Sequence, residues 1–376
     1  MAIFQVTFYS LLALRMRGNK MRLLVISLSA MALAGCGKET TSVPVPDQVQ
    51  DPVVNAQMPL ETGIKGVRYV SVTVSDIDQT LEFYNQGVQY EVVKRYQAPA
   101  ESLFPMSRIG NHKDKEVEVA LVKTPTVFLH LVDFDPSVTE SPEVRSVSGP
   151  GYTHICFISP SSNSAYAKFR AAGMEMVSRG KEPVDLGGYG MRYAYGLDLD
   201  GTMVELEVDE TPRRPDAFWV GHVANVTPDI EKMTAFYSDL LGYMPRRTAE
   251  LFDNPKADEI ANIDNVAIKA AWYSTGNLDL EFWQYTNPVT PPHSNSQMLD
   301  RIGYNSIAFE VQDLQKEVER LAGMGVAVIE DFRFQEGWRV AYFSDPDGNV
   351  FSLQQNESAA REESIDDLIW MHADVD

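Results

Sequence analysis

Apolar positions along this chain come in short alternating runs, and the runs recur in a fixed order. GVRYVSVTV (66–74) alternates and is rich in β-branched residues, which predicts a strand. The segment 76–86 places Leu81, Phe83 and Tyr84 for a helix that Gly87 stops. Several strands follow, ending in TVFLHLVDF (126–134). A second copy opens with THICFISP (153–160), carries the helix SAYAKFRAAG (164–173) and ends in DLDGTMVELEV (198–208). A third runs from GHVANVTPD (221–229) through EKMTAFYSDLLG (231–242) to NLDLEFWQY (277–285). A fourth runs from NSIAFEVQD (305–313) through QKEVERLAGMG (315–325) to DPDGNVFSLQQ (345–355). Each unit reads βαβββ, so the expected fold class is α+β, built from four modules.

Matched positions fall at nearly constant offsets: Tyr69 to His222 is 153 residues, His154 to Ser306 is 152, and His130 to Glu281 is 151. Units one and two together therefore recur as units three and four, a duplication of domains rather than a solenoid. The expected domains are 65–210 and 216–356, with PRRPD (212–216) as the joint. The acidic tail, 357–376, reads as a terminal helix or a frayed end.

The first residues carry a different signal. Met21-Arg22 precedes the apolar run LLVISLSAMALAG and then Cys36, the layout of an export signal too short for a comfortable membrane span. LAGC (33–36) resembles the bacterial lipoprotein lipobox, which implies lipidation at Cys36 and, with Gly37 next, sorting to the periplasmic face of the outer membrane. Residues 1–20 read as an upstream extension or a misassigned start, and 37–64, rich in Pro, Ser, Thr and Gln in its first part, as a tether. The second and last cysteine, Cys156, then has no partner within the mature chain and reads as a small buried hydrophobe. A net charge of −21 argues against nucleic acid as a partner, and 44% apolar residues suffice for a sizeable core. No P-loop, GxSxG elbow or paired CxxC occurs.

Four βαβββ units, a helix of the FYSDLLGY kind (236–243) and a turn of the DPDGNV kind (345–350) resemble the vicinal oxygen chelate superfamily. This group includes glyoxalase I, extradiol ring-cleaving dioxygenases and bleomycin-resistance proteins. The resemblance implies a cavity formed by two modules, each giving one ligand position on its first strand and one on its last. Those positions are Tyr69 and His130, His154 and Glu205, His222 and Glu281, then Ser306 and Ser352. Imidazole and carboxylate suit Zn, Ni, Fe, Co or Mn, whereas serine is a poor ligand for them.

Module pairing decides what the resemblance implies. Pairing two with three collects His154, Glu205, His222 and Glu281, the set of bacterial glyoxalase I enzymes, and leaves the outer pair without a site. Pairing one with two collects His130, His154 and Glu205, closer to an iron(II) set, although the dioxygenase pattern takes its histidines from first strands. The first scheme is the simpler, with one intact site and one lost. It implies one divalent metal ion, a small-molecule substrate, Glu281 or Glu205 as base, and a monomer with modules paired inside the chain. Glu207 shares the face of Glu205, and Cys156 that of His154. Arg192, Arg213 and Arg214 offer charge for a substrate carboxylate, and Tyr193, Tyr195, Trp272, Trp283 and Trp338 offer pocket walls. A non-catalytic ligand-binding protein is the remaining alternative.

Overall fold

The computed structural model describes residues 61–134, 146–180, 182–212, 218–292, 298–333, 337–358 and 362–368. Cys36, Arg213 and Arg214 lie outside them. Module one comprises β1 (Ile64–Val74), α1 (Ile77–Gly87), β2 (Glu91–Pro99), the short α2 (Ala100–Leu103), β3 (Glu116–Lys123) and β4 (Phe128–Asp133). Module two comprises β5 (Gly151–Pro160), α3 (Ala165–Ala171), β6 (Glu175–Met176), β7 (Val184–Asp185), β8 (Met191–Leu197) and β9 (Met203–Asp209). Module three comprises β10 (Trp219–Val226), α4 (Ile230–Leu241), β11 (Arg247–Leu251), α5 (Pro255–Ala261), β12 (Ala267–Ser274) and β13 (Asp279–Asn287). Module four comprises β14 (Gly303–Val311), α6 (Leu314–Gly323), β15 (Glu330–Arg333), β16 (Trp338–Ser344) and β17 (Val350–Asn356).

The repeat extends to the helix starts. Asp76, Ser164, Asp229 and Asp313 cap α1, α3, α4 and α6, each accepting from the backbone N–H three residues on. Each cap contributes about 1 kcal/mol, because it satisfies a donor the helix itself leaves free. In every module the first strand runs parallel to the last, as in β1 with β4 and β5 with β9.

Modules pair across the duplication, not within it. One sheet has the order β15-β16-β17-β14-β1-β4-β3-β2, joining modules four and one through antiparallel β14 and β1. The other runs β11-β12-β13-β10-β5-β9-β8-β6, joining modules three and two through β10 and β5. The one-with-two scheme, and with it a site of His130, His154 and Glu205, is therefore not the arrangement formed. The main core lies between the sheets and under the helices. Tyrosines tie the layers: Tyr304 Oη donates to the Met203 carbonyl (2.9 Å) and Tyr152 Oη to that of Val350 (3.2 Å).

The outer sheet's inner face is filled by the chain itself. Leu103, Phe104, Ile109 and Leu299 pack on Val117, Val132, Trp338 and Tyr342. Residues 362–368 form neither a long helix nor a frayed end. A single turn, Ile365–Asp367, is held by Glu310, which accepts from Ser364 Oγ (2.8 Å) and Ile365 N (3.0 Å). It buries Ile365 and Leu368 against Tyr69, Leu121, Phe128 and Ala308.

Candidate metal centre

Alternation along four neighbouring strands of the β10–β5 sheet brings four predicted residues together. His154 and Cys156 stand on one face of β5, with Glu205 of β9 beside Cys156 and Glu281 of β13 beside Ala224, which itself faces His154. His222 reaches this face through a bulge. Val220 pairs with Phe157 and Val223 with Ile155, so Gly221 and His222 together oppose Cys156. A Cβ at residue 221 would sit 2.4 Å from Ile158 Cδ1, so a larger residue there would require the Ile158 side chain to move. The same bulge occurs in β1, where Arg68 and Tyr69 oppose Ala308.

The four side chains are buried. His222 Nε2 lies 2.7 Å from Glu205 Oε2 and 3.0 Å from Glu281 Oε2, while His154 Nε2 lies 3.5 and 4.0 Å from the same atoms. One donor atom from each of the four is within 4.8 Å of every other. These approaches are close but not aligned as hydrogen bonds: Nε2 of both rings and Oε2 of Glu281 have no hydrogen-bond partner. Such side chains point at a shared space rather than at one another. His154 Nδ1 lies 3.1 Å from Thr153 Oγ1, a contact that orients the ring with Nε2 toward the cluster.

Electrostatics follow from crowding. Burial opposes a charge on His222, but Glu281 and Glu205 outweigh it and raise its pKa well above the usual value. Burial pushes Glu205 upward, yet the two imidazoles reverse this and hold it well below the carboxylate range. Glu207, buried and next to Glu205, is pushed up to about 8. Burial and the nearby glutamates raise the Cys156 thiol as well. Burying two imidazoles and three carboxylates together costs free energy unless a partner compensates. Two imidazole nitrogens and carboxylate oxygens are the donor set for a first-row divalent ion, so the residues fit the metal the resemblance implies.

The other predicted residues divide clearly. His130 belongs to the outer sheet, stacks on Tyr69 with centroids 4.6 Å apart, and places Nδ1 3.2 Å from Ser71 Oγ. Burial and the Arg68 charge push its pKa down to about 3, so it is a neutral core histidine. Tyr69 Oη accepts from Gln354 Nε2 (2.6 Å), which also donates to Ser352 Oγ (3.0 Å). Ser306 pairs with Ser71 in the β14–β1 ladder. Among the described residues no metal-type cluster forms there. Tyr195 and Trp283 line the inner face near the cluster, with Tyr193 beside Glu207. Trp272 lies under Arg247 (4.6 Å), and Trp338 under Arg68 (3.6 Å) in the outer sheet. Arg192 pairs with Glu210 at the surface. The sequence reading missed Thr153 and the bulge at Gly221; a glycine next to a histidine inside a strand was the available signal.

Two βαβββ pairs, each closing a curved sheet around an inner face, define the class. The model of the Glyoxalase/Bleomycin resistance protein/Dioxygenase superfamily matches residues 66–206 and 219–353, and the chain belongs to that family. Glyoxalase I from Zea mays is similar in structure, with a TM-score of 0.53 at 17% identity over 77% of this chain and 92% of that one. A putative dioxygenase from Bacillus subtilis subsp. subtilis str. 168 gives 0.52 at 12% identity over 82% and 92%. At such identities the likeness extends to the fold alone. No curated protein matches the chain.

Proposed function

We propose that the chain is a metal-dependent, glyoxalase-like lyase or isomerase acting on a small substrate with two neighbouring oxygens. One observation supports this most: His154 Nε2, His222 Nε2 and Glu281 Oε2 are buried, converge with Glu205, and lack hydrogen bonds. His154, Glu205, His222 and Glu281 would hold one divalent ion, with Zn, Ni, Fe, Co or Mn all suited to the donors. Such an ion supplies Lewis-acid stabilisation of negative charge on the substrate oxygens.

The remaining work falls to the chain. Glu281 Oε2 takes a proton from the carbon beside the substrate carbonyl and returns it to the neighbouring carbon. Glu205, on the neighbouring module and converging on the same point, is the alternative base. Tyr195, Trp283 and Tyr285 wall the inner face and limit water.

The test is deuterium exchange followed by NMR, with α-hydroxyketones and thiol hemithioacetals of 2-oxoaldehydes as probes for the metal-loaded protein. Exchange at the carbon next to the carbonyl, falling at least about 100-fold in Glu281→Gln, supports the reading. Exchange unaffected by Glu281→Gln contradicts it. Oxygen uptake with a catechol would move the iron(II) ring-cleaving alternative ahead. Ligand binding that survives metal removal, without turnover, would favour a binding protein.

A further inference from the structure

Cys156 and Glu207 stand on the same sheet face as the four-residue set and have no part in it. We infer that, with one oxygen of Glu205, they form a second metal position, so that the cavity holds two divalent ions bridged by Glu205. The inference rests on reading His154, Glu205, His222 and Glu281 as the first position.

The donors are already gathered. One atom each from Cys156, Glu205, Glu207 and His222 lies within 4.8 Å of every other, and all four residues are buried. Strand register places them there: Cys156 is beside Glu205 in the parallel β5–β9 pair, and Glu207 follows two residues on, on the same face. Neutral imidazole has one free lone pair, so His222 Nε2 serves a single ion. A carboxylate has two oxygens, so Glu205 is the natural bridge. Bridged pairs of ions sit about 3.5–4 Å apart.

Charge points the same way. Glu205, Glu207 and Glu281 enclose three carboxylates, and among the described residues neither Lys nor Arg forms an ion pair with any of them. One divalent ion balances Glu205 and Glu281, while Glu207 and Cys156 keep their protons. A second ion, with the Glu207 and Cys156 protons released to water, brings four negative and four positive charges into balance.

The chain's own repeat provides a control. In the outer sheet the counterparts of Cys156, Glu205, Glu207 and His222 are Ala308, Ser352, Gln354 and Tyr69. Gln354 keeps the size of a glutamate but not its charge, and bonds to Tyr69, Ser352 and Arg68. Where three of the four first-set positions carry Tyr or Ser, the thiol and the extra carboxylate are gone too. The thiolate selects a thiophilic ion such as Zn, Co or Cd over Mg or Ca.

The test is cobalt(II) titration of the purified full-length protein, followed by absorption spectroscopy and elemental analysis. The expected result is two ions per chain, with near-ultraviolet thiolate-to-cobalt charge transfer growing with the second. Cys156→Ser should bind one ion and lose that band. Glu207→Gln should keep the first ion and weaken the second at least about tenfold, as loss of one charged ligand implies. A single ion in wild type, or two ions with no thiolate band, would overturn the inference while leaving the first position intact. No cobalt bound, or a first ion unaffected by His154→Ala, would instead remove the reading on which it rests.

Discussion

Metal binding at the central cluster should release at least one proton, from His222, and that release sets how affinity varies with pH. In the metal-free chain His222 Nε2 lies 2.7 Å from Glu205 Oε2 and 3.0 Å from Glu281 Oε2. Burial opposes protonation, but the two carboxylates dominate and the ring stays charged above its ordinary range. Ligation requires the neutral ring, so each bound ion displaces that proton. With one proton displaced, affinity improves about tenfold per pH unit, or about 1.4 kcal/mol, as long as the pH is below the raised pKa. The sign for stability reverses between states. Without metal, the His222–carboxylate contribution is fully present below the ring's unfolded pKa of about 6.5 and is lost as pH rises through the raised folded value. With limiting metal, stabilisation grows over the same range. Calorimetry in buffers of different ionisation enthalpy counts the protons. Affinity that is flat from pH 6 to 8, with no proton release, would show that His222 carries no proton in the metal-free chain.

Four further outcomes are expected. His130→Ala should leave metal content unchanged while lowering stability by about 2–4 kcal/mol, because a buried stacked ring is lost; metal loss on elemental analysis would contradict this. Ile365→Ala should cost about 2–4 kcal/mol in denaturant unfolding, since the closing turn buries that side chain against the outer sheet; an unchanged midpoint would show that the turn does not pack. Burial pushes Asp345 up to about 7, so the folded chain holds a proton that the unfolded chain releases above about pH 4. Stability should therefore fall between pH 4 and 7, by at most about 4 kcal/mol from this group, and Asp345→Asn should flatten that slope in thermal unfolding. If Cys36 is the lipid anchor, labelled palmitate should enter the wild-type chain and not Cys36→Ser.

Much of this architecture is written in local pattern. Alternation and capping residues recur in every module, and Asp76, Asp229 and Asp313 start their helices where the repeat places them. The candidate metal positions came from the family resemblance laid over that repeat, since His154, Glu205, His222 and Glu281 occupy equivalent places on first and last strands. Pairing is different, because it depends on contacts between strands distant in sequence. His130 has the strand position of Glu281 and is excluded only because β4 joins the other sheet. Short elements such as α2 and α5 escape periodicity, which needs more turns than they have. The closing turn was hidden for a related reason: Ile365 and Leu368 are isolated apolar residues in an acidic run, and their burial depends on a groove formed by β1, β3, β4 and β14. Glu207 was visible on the right face, but its enclosure with Cys156 required the assembled cavity.

The most direct measurement is anomalous diffraction from crystals of the metal-loaded protein, collected at the metal's absorption edge. Density is expected within about 2.0–2.3 Å of His154 Nε2, His222 Nε2 and oxygens of Glu205 and Glu281, with none beside His130. An empty central cavity, or an ion bound among Tyr69, His130 and Ser352, would contradict that expectation.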